Sequence, residues 1–142
     1  MAKQMIEIII AWIQRCRKKK QAAKEQQEAA VLIERIEQAL NVELYGWQRL
    51  YIITGIWQPP EGRRHGRTLA YILRLLLDQS KPLLMYNSSD ARAYADNPFT
   101  GRQYEPVPMY YAVWFEREIS DIYKQLRAAG VPVRELISRG TQ

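Results

Sequence analysis

The stretch "EGRRHGRT", residues 61–68, stands between the Pro59-Pro60 pair and the leucine-rich run "LAYILRLLL" at 69–77. Its reading decides the fold. A phosphate-binding loop of the form G-x-x-x-x-G-K-[ST] hangs from a buried strand and opens a helix. Its backbone amides hold phosphates, its lysine reaches the terminal phosphates and its hydroxyl binds magnesium. Such a loop would make the chain an α/β nucleotide-binding domain. A basic turn that starts a helix fits a mainly helical one.

The match is partial. Gly66 takes the last glycine position and Thr68 the hydroxyl position, but Arg67 replaces the lysine and Glu61 stands where the first glycine belongs. Arginine is a wide planar fork where the motif uses a compact point charge. Upstream, Gly55, Pro59 and Pro60 interrupt the segment that should be the strand, and proline has no place in a central strand. Three arginines, Arg63, Arg64 and Arg67, nevertheless crowd a helix start, where the helix dipole disfavours cations by about 0.3–1 kcal/mol each. An anion seated there explains them, because amides and guanidinium groups converge on phosphate. Pairing with an internal carboxylate such as Glu61 or Asp78 is the other reading. The candidate phosphate or nucleic-acid site is therefore Arg63, Arg64, His65, Gly66, Arg67 and Thr68.

"GRRHGRT" resembles the "GRRxGKT" form of the nucleotide-binding loop in phage terminase large subunits, the ATPases that package viral DNA. "LYGWQRLYI" (44–52) is similar to the glutamine-bearing segment that precedes that loop, and "KPLLMYN" (81–87) falls near the following strand. The resemblance covers about residues 41–88. It implies that Gln48 approaches an adenine, that Gly66 and Thr68 frame phosphates and that Arg67 occupies the lysine position. It also implies a phage or prophage origin. No apolar run ending in two carboxylates follows, and the chain is too short to carry a nuclease domain. The expectation is a decayed loop retained for its charge, without ATP hydrolysis. No cofactor is expected, and a bound nucleotide is the minor alternative.

The remaining sequence reads as mainly α, α+β with little sheet. A long N-terminal helix is expected over residues 3–40, packed on a small helical domain with one or two short strands. The middle of that helix, 17–29, lacks large apolar side chains, so patches at 5–13 and 31–40 are expected to be its packed ends. The alternation of Ile6, Ile8, Ile10 and Trp12 leaves a strand at 5–13 as the competing assignment. Asn41 is expected to cap a second helix that stops at Gly55. Further helices are expected over 67–79 and 109–130, with a strand at 82–86. Residues 87–108 are expected to be a long turn-rich loop, with "NSSD" (87–90) able to cap a helix. In the last helix Ala112, Phe115, Ile119, Ile122 and Leu126 form a narrow apolar seam. Two domains follow: a basic helical arm, 1–40, and a compact domain, 41–142.

Charge is placed unevenly. Residues 1–24 hold seven basic groups and one acid, which accounts for the chain's whole net charge of +6; the rest is balanced. Arg15, Arg17, Lys18, Lys19, Lys20 and Lys24 make a second basic patch suited to polyanions or an acidic partner. The apolar patch Met5–Ile13 is shorter than the roughly 20 residues a membrane-spanning helix needs. Its order, apolar then basic, is the reverse of a signal peptide. An interfacial amphipathic helix is the one membrane reading that survives; a soluble protein of a bacterial host's cytoplasm is the expectation. One cysteine, Cys16, and one histidine, His65, give neither a disulfide framework nor a zinc site. Glu116 and Glu118 are too close on one helix to face each other across a substrate, so no catalytic residue is assigned.

Aromatic residues Tyr94, Phe99, Tyr104, Tyr110 and Tyr111 interleave with Arg92 and Arg102, a mixture that suits base stacking, protein contacts or simple core packing. The leading expectation is a non-enzymatic accessory protein that binds nucleic acid or phosphate groups. The alternative is an inhibitor or adaptor acting on a host nucleic-acid-handling defence complex, and the third is a residual nucleotide binder. The seams at 5–13 and 112–126 pack either within one chain or between two copies, and a homodimer is the expectation.

Overall fold

The computed structural model describes residues 2–61, 66–95 and 107–138. The chain divides into two compact units, residues 1–34 and 35–142. It is mainly helical, as the sequence predicts. Helix α1 runs Ala2–Leu40, α2 Gly46–Thr54, α3 Arg67–Leu77, α4 Ser88–Ala95 and α5 Met109–Ala128. Two three-residue strands, β1 (Leu83–Met85) and β2 (Leu136–Ser138), pair in parallel with Leu83 opposite Leu136 and Met85 opposite Ser138.

The first unit is helix throughout its described residues, so the strand alternative at 5–13 is excluded. Strong helix formers without Gly or Pro carry it. Side chains from Ala2 to Ala30 are exposed apart from the half-buried Cys16 and Ala29. The patch at 5–13 is therefore not a packed end. Met5, Ile6, Ile8, Ile9, Ile10, Trp12 and Ile13 are each 37–65% exposed. Of the other patch, Ile33 and Ile36 are buried, while Val31 stays exposed.

In the second unit, helix ends follow local chemistry. Asn41 does not cap α2. It adopts φ 53° and ends α1, with the Val42 N–H donating to the Glu37 carbonyl at 3.1 Å. Asparagine tolerates this left-handed conformation, and the bond is the long closure of a Schellman motif. Tyr45 takes the cap position of α2 instead. Gly130, φ 78°, ends α5 in the same manner: its N–H donates to Arg127 and the Val131 N–H donates to Leu126.

The 87–108 segment is not loop throughout, because Ser88–Ala95 is helical. Asn87 Oδ1 accepts the Asp90 N–H, and Asp90 Oδ2 accepts the N–H groups of Tyr86 and Asn87. This reciprocal capping satisfies donors that a helix start leaves orphaned.

The core lies where α4 and α3 pack on α5 and β1 packs beside α4. Ala112, Phe115, Ile119, Ile122 and Leu126, the seam of α5, are all buried in this core with Leu73, Leu76, Leu83 and Met85. That seam serves the chain itself and is not available to a second copy. Each large apolar side chain buried there stabilises the fold by about 1.5–3 kcal/mol relative to exposure.

Candidate functional site

Gly62, Arg63, Arg64 and His65 lie outside the described residues. What can be placed is the frame of the loop. No strand occurs between Gly55 and Glu61, so the element from which a phosphate loop hangs is missing there. Gly66 precedes α3 with φ 73°, and its carbonyl accepts both the Ala70 N–H at 3.1 Å and Gln48 Nε2 at 2.9 Å. A methyl group at this glycine would collide with the Gln48 amide.

Gln48 is 2% exposed and its amide is engaged at both ends, since Oε1 also accepts the Tyr45 N–H at 2.8 Å. The side chain that the terminase resemblance directs toward an adenine ties the start of α2 to the start of α3. Arg67, the residue in the lysine position, folds back: one Nη donates to the Pro60 carbonyl at 2.7 Å. Its Nε is buried with no hydrogen-bond partner. Thr68 is half-buried in the first turn of α3. Gln48 and Arg67 thus both donate to backbone carbonyls, those of Gly66 and Pro60.

The carboxylates offered as internal partners are also placed. Asp78 accepts the Ser80 N–H at 3.1 Å. Hydrogen bonding to Ser80, and then the charges of Arg134 and Arg74, hold its carboxyl below the usual aspartate range. Asp78 thus serves the turn after α3. Glu61 is exposed and makes no ion pair among the described residues.

Two arginines outside the motif have structural work that the sequence did not announce. Arg74 donates from Nη1 to the Tyr51 and Ile52 carbonyls, both at 3.0 Å, at the end of α2. Its guanidinium also lies 5.6 Å from the centre of the Tyr51 ring, which meets Trp57 edge-on at 4.8 Å. Arg134, 4% exposed, donates to the carbonyls of Lys81 (2.9 Å), Leu75 (3.1 Å) and Pro82 (3.4 Å). Both place a cation at a helix C-terminus, where the dipole favours it. Arg74 stands inside an apolar helical run, which is the only sequence signal; Arg134 has none.

The second basic patch is fully presented. Arg15, Arg17, Lys18, Lys19, Lys20 and Lys24 are all exposed on α1. Lys24 approaches Glu28 at 3.9 Å, a solvent-exposed pair that contributes little. The other five make no ion pair among the described residues. Of the aromatic mixture, Phe99, Arg102 and Tyr104 lie outside the described residues. Tyr111 packs against Trp114 and Phe115, the Tyr94 carbonyl accepts the Tyr71 hydroxyl, and Tyr110 remains exposed. No group of three metal-ligating side chains occurs among the described residues. Compared with protein-family models, curated proteins and solved structures, the chain matches none.

Proposed function

We propose that the chain is a non-enzymatic, phage-type accessory protein that binds nucleic-acid phosphates through its basic segments, with the girdle on α1 as the main contact. The observation that carries this reading is the exposed run Arg15–Lys24, whose cations are almost free of carboxylates. At about 100° per residue, Arg15, Lys18 and Lys19 point to one side of the helix and Arg17, Lys20 and Lys24 to the other. A helix cationic on two sides suits a groove bounded by two phosphate strands. Arg63, Arg64 and Arg67 are the secondary contact.

The test is fluorescence anisotropy of labelled single- and double-stranded DNA and RNA across a salt series. Each phosphate neutralised on duplex DNA contributes about −0.9 to the slope of log K against log salt, so six cations predict a slope approaching roughly −5. Replacing Arg17, Lys18, Lys19 and Lys20 by Gln should remove most of that slope, and an Arg63/Arg64/Arg67→Ala variant should remove less. Absence of binding even at low salt refutes the reading. The adaptor alternative draws support from Met109, Tyr110 and Trp114, exposed at the start of α5. It requires a protein partner whose binding is lost on Tyr110→Ala and Trp114→Ala, with little affinity for free nucleic acid.

A further inference from the structure

Nucleic acid gives no role to the apolar residues that precede the girdle. Seven large side chains, Met5, Ile6, Ile8, Ile9, Ile10, Trp12 and Ile13, stand in water within nine positions of α1. At about 100° per residue they span an arc of roughly 200°, and Lys3, Gln4, Glu7, Ala11 and Gln14 fill the remainder. A partner helix covers a stripe only about 100° wide, so a second copy of α1 leaves half of this surface wet. Parallel pairing would also set two basic girdles side by side. A flat apolar layer covers half a cylinder, which is the shape presented.

The order along the helix points the same way. Trp12 and Ile13 close the apolar stretch, and after Gln14 come Arg15, Arg17, Lys18, Lys19 and Lys20. Tryptophan favours the boundary between hydrocarbon and headgroups, and Lys and Arg lay their stems on apolar surface while their charges reach anionic phosphates. Nine residues extend about 13 Å, too short to cross a bilayer and sufficient to lie in its surface. No helix among the described residues is long and apolar enough to cross a membrane.

We infer that the N-terminal turns of α1 dock on the surface of an anionic lipid bilayer, with Met5–Ile13 sunk at the headgroup boundary and the girdle on lipid phosphates. This uses the apolar side chains that the nucleic-acid reading leaves unexplained and does not depend on that reading.

The experiment is co-sedimentation of the full chain with large unilamellar vesicles of phosphatidylcholine alone or with 30% phosphatidylglycerol. Wild type is run beside an Ile6/Ile9/Trp12→Gln variant that keeps every girdle cation. Glutamine is a good helix former, so α1 persists, which circular dichroism verifies. The expected results are binding at least tenfold tighter to the phosphatidylglycerol vesicles and a further tenfold or greater loss in the variant. Nucleic-acid anisotropy of the variant should stay unchanged, which separates the two readings. No binding to anionic vesicles at millimolar lipid overturns the inference, as does equal binding by the variant. Sedimentation equilibrium showing an oligomer that the variant dissolves, with no vesicle binding, assigns the surface to further copies of the chain and also overturns it.

Discussion

Replacing Arg134 by methionine tests whether one buried cation joins α3 to the parallel strands. Methionine is close in length and keeps the apolar packing of the stem, so the loss is confined to the guanidinium. Three carbonyls lose their donor, and the bonds to Lys81 and Leu75, at 2.9 and 3.1 Å, are the well-formed ones. The Pro82 contact at 3.4 Å adds little. An acceptor left unsatisfied in the interior costs about 1–3 kcal/mol, and removing the guanidinium relieves some of its own desolvation. Leu75 is only half-buried, and Lys81 and Pro82 are exposed, so water can reach part of the vacated site. These considerations place the effect at the lower end, about 2–3 kcal/mol of unfolding free energy.

In urea, with m about 1.5 kcal/mol/M, the midpoint should fall by roughly 1.3–2 M; thermally the loss is about 7–10 °C. Amide exchange adds a local readout. The Leu83 N–H donates to the Glu135 carbonyl at 2.8 Å beside Arg134, and its protection should fall more than that of α5. Arg134→Lys keeps the charge but cannot serve separated carbonyls with a fork, so it should recover less than half. A loss below about 1 kcal/mol in the methionine variant, with Leu83 protection intact, would refute the assignment.

Three further outcomes are expected. Gly66→Ala should cost about 2–4 kcal/mol, from left-handed strain of about 1–2 kcal/mol and loss of the Gln48 amide's fit. Combined with Gln48→Ala in a denaturation double-mutant cycle, it should show strong non-additivity; additive costs would disprove the coupling. The Leu44 N–H, supported by the Arg49 guanidinium, holds the Glu37 carboxyl below the usual glutamate range. Its contribution is therefore present above the unfolded pKa and disappears as pH falls through the lowered folded value. Glu37→Gln should flatten the acid limb of the stability profile and leave its alkaline side unchanged, and an unaltered acid limb counts against the contact. Phe115→Ala should cost about 3–5 kcal/mol in urea unfolding, because the ring is fully buried where α3 and α4 meet α5; a cost under about 1.5 kcal/mol contradicts that packing.

The sequence alone determined the elements whose signals are local. A residue run without Gly or Pro specified α1 beyond residue 13, while the alternation at 5–13 left a strand open there. The 3-4-3-4 spacing of Ala112, Phe115, Ile119, Ile122 and Leu126 specified both α5 and its buried face, and Gly130 specified where it stops. The absence of a strand between Gly55 and Glu61 was legible too, because Pro59 and Pro60 argue against one there. Tertiary structure decided the rest, since those outcomes depend on residues distant in the chain. Gln48 can reach a ligand or a backbone, and Gly66, 18 positions away, takes its amide. β2 is too short to show a period and exists through its register with β1. Periodicity marks a side chain as apolar but does not say what covers it. Hence the seam of α5 lies in the chain's own core while the equally apolar start of α1 faces water.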